Sequence, residues 1–274
     1  MRVGRVLHKI WLPLISLAIT TACQMAPTRV SESSQRSAEP SVVLDVRSAF
    51  DYGLNRVEGS LHFPWESLAE SAHSGELLRD QRKAGLRLSL LGVDKASSVL
   101  VVGNGPARGS GEEGRLAWNL LYLGFKDVQV ASIDNFKNLL TQRPTPPPAN
   151  GTVWVPEPKS DLLISKSDFL SLMKDKKAKG AHIIVIDVRS RKEFSDRRVL
   201  SDAGVINIEW SKFYKPDGRP NQDFKQILTE WGINPKDRIV VISNRGVRSA
   251  AAAFALLSLG YTQVQNFTGG YRSI

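Results

Sequence analysis

Two stretches of this chain repeat one another in order, and that duplication limits what it can fold into more than any other feature. Val42-Val43-Leu44-Asp45-Val46-Arg47-Ser48 is echoed by Ile184-Val185-Ile186-Asp187-Val188-Arg189-Ser190. Gly59-Ser60-Leu61-His62-Phe63-Pro64-Trp65 parallels Gly204-Val205-Ile206-Asn207-Ile208-Glu209-Trp210, and Leu120-Leu121-Tyr122-Leu123-Gly124-Phe125 parallels Leu256-Leu257-Ser258-Leu259-Gly260-Tyr261. Each copy alternates β-branched apolar runs with helical stretches. In the second copy the runs are Ile183–Ile186, Ile206–Ile208 and Ile239–Ile242, with Val264 near the end. Short, continuous apolar runs suit strands buried on both faces, as in a parallel sheet. Helices are expected over Ser167–Met173, Asp223–Leu228 and the Ala-rich Ser249–Leu259, with Asp168 and Ser249 as helix starts and Gly260 as a helix stop. The pattern implies an α/β chain of two similar units, each an open, mostly parallel sheet flanked by helices.

A proline-dense segment, residues 142–160, joins the copies and reads as an extended, semi-rigid connector. It separates a first domain at 40–141 from a second at 161–274. Residues 1–39 have a different character. Arg2, Arg5 and Lys9 precede an apolar stretch from Ile10 to about Ile19, and Thr20-Thr21-Ala22-Cys23 follow. A basic start, a short apolar core and a small residue before the break mark a secretory signal over 1–22, with an apolar run too short to span a bilayer. Residues 23–39 are polar and Ser-rich, and read as a flexible tether spanning roughly 20 Å.

Cys23 is the single cysteine, so no internal disulfide can form. Directly after Ala22 it resembles the lipidated cysteine of bacterial lipoproteins, which implies a membrane anchor through Cys23 and an exported body facing the periplasm or exterior. Thr20 stands where that pattern usually has Leu. A content of 42 % apolar and 23 % charged residues is that of an ordinary globular protein. The formal charge is +10, and its basic residues are scattered rather than interleaved with aromatics. They read as a solvated face that could also attract anionic lipid, and export argues against a nucleic-acid partner.

The motifs together resemble the rhodanese family, the thiosulfate and mercaptopyruvate sulfurtransferases, in its tandem-domain form. Asp187 to Phe194, with Gly204 to Ile208, matches the family's opening motif, and Asn266-Phe267-Thr268-Gly269-Gly270-Tyr271 matches its closing one. Asp45 to Tyr52 repeats the opening motif. The resemblance implies a loop after a central strand whose cysteine carries a persulfide. Here that loop is Ser243-Asn244-Arg245-Gly246-Val247-Arg248, of the length typical of sulfurtransferases, with Ser243 at the cysteine position. A hydroxyl neither ionises readily without a base nor forms the sulfur–sulfur bond of the transfer. The four histidines, His8, His62, His73 and His182, form no cluster in sequence.

What the loop retains is the frame of an anion cradle: backbone amides, a helix start, and the guanidiniums of Arg245 and Arg248. The expected ligands are small oxyanions such as sulfate, thiosulfate or phosphate. No cofactor is implied, and no cysteine or histidine spacing indicates a metal. In the first copy Gly103 holds the position of Ser243, in a longer loop carrying Glu112 and Glu113, which would repel an anion. Asp187, Arg189 and Glu193 are expected to form one structural ionic set, and Trp65 and Trp210 to pack in the core or between domains. Two functions remain open. One is a lipid-anchored module without transferase activity that binds an anion or a protein partner. The other is a sulfurtransferase acting by an unrecognised route.

Overall fold

The computed structural model describes residues 40–71, 74–146, 151–179, 183–196 and 204–274. The expected signal, Cys23 and the tether at 23–39 lie outside the described residues, as do 147–150 of the connector, His73 and His182. Residues from Ala38 to Ile274 form one compact unit.

In chain order the first half runs β1 (Val42–Asp45), α1 (Ala49–Leu54), β2 (Arg56–Val57), β3 (Leu61–His62), α2 (Gln81–Ser89), β4 (Val99–Gly103), α3 (Glu112–Tyr122), β5 (Val128–Ser132) and β6 (Leu140–Thr141). The second half runs α4 (Lys166–Lys179), β7 (Ile183–Asp187), α5 (Arg191–Asp196), β8 (Ile206–Asn207), α6 (Phe224–Glu230), β9 (Arg238–Ile242), α7 (Val247–Ser258) and β10 (Gln263–Asn266). Two four-stranded sheets result, ordered β3-β1-β4-β5 and β8-β7-β9-β10, with every pairing parallel. The repeated sequence motifs thus occupy equivalent strands. Register makes the equivalence residue by residue: Asp45 pairs with Val102 and Asp187 with Ile242, so Gly103 and Ser243 follow at the same place.

Burial explains why the strands read as unbroken apolar runs. Val185, Val240 and Ile242 pack on one face against Phe169, Leu172 and Met173 of α4. Ile186, Ile239 and Val241 turn to the other face and join a core that includes the alanines of α7. In the first half the face carrying Val43, Leu100 and Val102 is covered instead by the antiparallel ribbon β2–β6 and the short turn at 133–139.

Helix ends differ from the expectation at two places. Helix α4 begins before Asp168: Ser165 Oγ accepts the Asp168 amide at 3.1 Å and donates to the Asp168 carboxylate at 2.6 Å. Serine is therefore the cap, and Asp168 closes the reciprocal bond three residues later. Helix α7 begins at Val247, and its N-cap is Gly246, with φ +78°; Ser249 lies inside the first turn. At the other end Gly260 has φ +90°, the left-handed stop that glycine allows.

The described parts of the connector run along the first half. Gly151 N donates to Ser89 O at 2.9 Å, Trp154 Nε1 to Val93 O at 3.0 Å, and Lys159 N to Tyr122 O at 2.8 Å.

Helices α3 and α7 join the halves, and both are buried along nearly their whole length. Close approach requires the absence of a side chain at Gly114, where a Cβ would sit 2.7 Å from Ala251 Cβ and crowd the Tyr214 hydroxyl. That hydroxyl is fixed by donating to Ala251 O at 2.6 Å. Gly114→Ala is therefore expected to destabilise the protein by about 1–3 kcal/mol through overpacking, although alanine is the better helix former by about 1 kcal/mol. Urea unfolding of parent and variant measures this; equal or greater stability in the variant contradicts it.

Candidate functional site

At the carboxyl end of β9 the chain turns into α7 through Ser243-Asn244-Arg245-Gly246. Ser243 is 1 % exposed. Its Oγ accepts the amides of Gly246 at 3.1 Å and Ser249 at 3.2 Å, and lies 3.1 Å from Ser249 Oγ. Among the described residues no imidazole reaches it. His62 lies elsewhere, with Nε2 at 2.8 Å from Arg47 O and its ring stacked on Tyr52. The hydroxyl is thus the hub of the turn, with no base to activate it. The amides of Asn244, Arg245, Val247 and Arg248 have no acceptor among the described residues.

The turn is tightly constrained. A Cβ on Gly246 would collide with the Thr268 carbonyl, so the left-handed backbone there needs glycine for both conformation and space. The closing motif braces the turn from behind. Tyr271 N donates to Ser243 O at 3.0 Å and Arg272 N to Asn244 O at 3.1 Å.

The two loop arginines have separate fates. Arg248 makes a bidentate pair with Glu193 of α5, both N–O distances 2.7 Å. This pairing, with hydrogen bonds from Ser190, holds the Glu193 carboxyl down to about 2 despite its partial burial. Arg248 therefore reaches the cleft with its charge balanced, whereas Arg245 is exposed and makes no ion pair among the described residues. Of the expected set of Asp187, Arg189 and Glu193, the last pairs directly with Arg248 and acts on Arg189 through its charge. Asp187 and Arg189 form their own buried fork, at 2.8–3.1 Å, with the guanidinium 4.0 Å above the Tyr271 ring. Asp45 and Arg47 repeat that fork in the first half.

The space above Ser243 is a cleft of about 460 Å³ built from both halves. Asn244, Arg245, Arg248, Arg272 and Trp210 come from the second half; Trp65, Glu66, Ser110 and Glu112 come from the first. Both tryptophans are nearly buried, at 5 % and 8 % exposure, so they serve as packing and as cleft wall together. The contribution of Glu66 was not legible from sequence, because only the packing of α3 on α7 brings it opposite the loop. Burial raises the Glu66 carboxyl above its ordinary range, aided by the charge of Glu112 and opposed by Arg245 and Arg115.

The equivalent place in the first half is filled by the protein itself. A Cβ on Gly103 would lie 2.5 Å from Glu113 Oε2 and 2.9 Å from its Cδ. The Glu113 carboxyl, 1 % exposed, thus occupies the position where a nucleophile's side chain would sit. Burial pushes it up to about 7; the nearby amides of Glu113 and Gly105 offset part of this without completing a hydrogen bond.

Comparison with known proteins agrees with this geometry. Residues 165–274 match the family described as Rhodanese-like domain. Thiosulfate sulfurtransferase 18 of Arabidopsis thaliana is 37% identical over 87 residues, 31% of this chain, and the chain spans 62% of that relative's length. Among solved structures, the 3-mercaptopyruvate sulfotransferase SseA of Escherichia coli superposes with a TM-score of 0.68 at 18% identity, over 84% of this chain and 92% of that one. A variant of EanB in complex with ergothioneine gives 0.70 at 16% identity, over 84% and 61%. YnjE gives 0.66 at 18%, over 86% and 61%. The second half of the chain thus matches a rhodanese-like domain, and the whole described body shares its fold with these solved structures.

Glu113 gives a pH prediction. Its carboxyl binds a proton more tightly folded, at about 7, than unfolded, near 4.5, so the parent loses stability as pH rises through that window. The loss is on the order of 3 kcal/mol at 1.36 kcal/mol per pH unit. Glu113→Gln removes it. Relative to the parent, the variant should gain stability between pH 5 and pH 8 in chemical denaturation, and a difference that stays constant across this range would exclude the assignment.

Proposed function

We propose that this chain is an exported, lipid-anchored protein of two tandem rhodanese-like domains whose second domain binds small oxyanions or an anionic group of a partner, without transferring sulfur. The observation that carries the reading is the state of the loop: Ser243 Oγ takes two of its amides, while four others and the exposed Arg245 have no partner among the described residues. Amides converging at a helix start, with a guanidinium beside them, favour sulfate, thiosulfate or phosphate. The name of the Arabidopsis relative suggests thiosulfate as substrate. Against turnover stands the hydroxyl at 243, which cannot carry a persulfide.

Support for the anchor comes from the short apolar run ending at Ala22-Cys23. No helix among the described residues is long and apolar enough to cross a membrane, so a lipid on Cys23 is the attachment this reading requires. Radiolabelled palmitate should be incorporated by the parent in a bacterial host and lost in Cys23→Ser; equal labelling of the two removes the anchor.

Titration calorimetry with thiosulfate, sulfate and phosphate on the full-length chain tests the cradle. Arg245→Ala should bind at least about fivefold more weakly, roughly 1 kcal/mol, and Arg248→Ala should perturb stability as well as binding because it leaves Glu193 unpaired. The same preparations, assayed with thiosulfate and cyanide, should show no turnover for the parent and measurable turnover for Ser243→Cys, whose thiolate would meet the Gly246 and Ser249 amides. Turnover by the parent above a heat-killed control defeats the proposal.

A further inference from the structure

The cleft above Ser243 carries charge of both signs with no contact ion pair across it among the described residues, Glu66 being balanced in part by the buried Arg115. Arg245 and Arg272 line it from the second half, and both are exposed. Glu66 and Glu112 line it from the first half, and both are half-buried. Among the described residues no ion pair joins either carboxylate to either guanidinium. Glu66 feels Arg245 only through space, and Glu112 accepts just the Ser110 amide, at 2.7 Å. Arg248 is balanced by Glu193 and adds little net charge.

Opposite charges left apart across a partly dry gap are an unfavourable arrangement for an empty protein. The half-buried carboxylates have lost part of their hydration without gaining a contact ion pair, while the exposed guanidiniums face them across the gap. A ligand that is itself a dipole relieves both ends at once, whereas a bare anion satisfies the loop and meets repulsion from the facing carboxylates. The space suits such a molecule. The cleft is about 460 Å³, toward the small end of ligand pockets, which run from about 300 to 1,000 Å³. Its wall of Trp65 and Trp210 limits water.

The acidic side also has room to spare. Trp65, Glu66 and Glu112 are shared with an adjoining cleft of about 530 Å³, which adds Asp51 and His62. A positive group directed toward Glu66 would therefore lie at the wall the two cavities share, with Glu112 beside it and the adjoining Arg47 already paired with Asp45.

We propose that the ligands of this cleft are small zwitterions, with a sulfonate, sulfinate or carboxylate on the Asn244–Arg248 amides and Arg245, and an ammonium group facing Glu66 and Glu112. The proposal rests on the reading of the loop as an oxyanion cradle and adds the second half of the recognition.

Matched pairs test it on the full-length chain by titration calorimetry at pH 7.5. Taurine is compared with propane-1-sulfonate, and 3-aminopropanesulfonate with butane-1-sulfonate; within each pair only an ammonium is exchanged for a methyl group. The zwitterion should bind about tenfold more tightly, equivalent to 1.4 kcal/mol. Glu66→Gln should bring each pair to within about twofold, mainly by improving the alkylsulfonate. Arg245→Gln, at an exposed position, should weaken all four together and keep the preference. Equal or tighter binding of the alkylsulfonates by the parent overturns the proposal while leaving the cradle intact, as does a preference that survives Glu66→Gln. No binding of any sulfonate, thiosulfate or sulfate overturns both. Because the preference is first read on the parent, a Glu66→Gln variant that fails to fold leaves the test decisive.

Discussion

The arrangement turns on a buried cation. Arg115, on α3, has no solvent exposure, yet its guanidinium reaches across the boundary between the halves. Nη1 donates to Gly246 O at 3.1 Å and Nη2 to Gly75 O at 2.6 Å, with the rings of Trp118 and Trp65 at 5.4 and 5.5 Å. Burial lowers its pKa only to about 9, opposed by Glu66, so the group stays charged at neutral pH. A buried charge without a contacting counter-ion is tolerated only where carbonyls and aromatic faces replace water. Those replacements come from three chain segments that must all be in place. Gly246 presents its carbonyl because its backbone is left-handed, and Gly75 fits because a Cβ there would strike Arg245 O. The loop of the second half therefore owes its shape to a side chain of the first.

That dependence accounts for the different fates of the two copies. Both halves keep the Asp–Arg fork after the first strand and a left-handed glycine before the central helix, Gly111 at φ +88° and Gly246 at φ +78°. These features set the strand-to-helix turn, so they are needed whether or not the turn does chemistry. Between them the copies diverge. In the first half glycine at 103 leaves a space that the Glu113 side chain fills. In the second half Ser243 is small enough to leave the turn intact, and the space above it stays a cleft because the facing wall belongs to another domain.

How much of this was legible in the sequence follows from the range of the interactions. The strands and their parallel arrangement could be read from the repeat, since apolar runs buried on both faces have no other comfortable environment, whereas their order in the sheet came from the structure. The equivalence of Gly103 and Ser243 needed only register counting from Asp45 and Asp187. The helix caps were misread by a few residues because Ser165 and Asp168 form a reciprocal pair, and either residue alone is a plausible cap. Glu193 was grouped with the neighbours it has in sequence, while its carboxylate lies against Arg248, 55 positions away. The polar residues of α3 were hardest. Nothing local marks Glu113, Arg115 and Asn119 as buried, and only the packing of α7 against α3 encloses them.

The side chain at 243 and the shape of the loop are thus separate matters. A nucleophile is one atom's worth of chemistry, and replacing sulfur by oxygen at 243 changes little in the turn, because a hydroxyl accepts the same two amides. The rest of the loop is held by demands that have nothing to do with transfer: the glycine before α7, the carbonyl needed by Arg115, and the bonds from Tyr271 and Arg272 to Ser243 and Asn244. Relaxing the loop would leave Arg115 buried without its acceptors, a change worth several kcal/mol. The interface thus fixes the loop amides, four of them without an acceptor among the described residues, beside the exposed Arg245. The recognition surface proposed for the second half is thus part of the joint between the halves. In the first half the loop also meets the other half, where a Cβ on Gly111 would lie 2.9 Å from Ala251 Cβ, but the place equivalent to the Ser243 side chain is taken by Glu113.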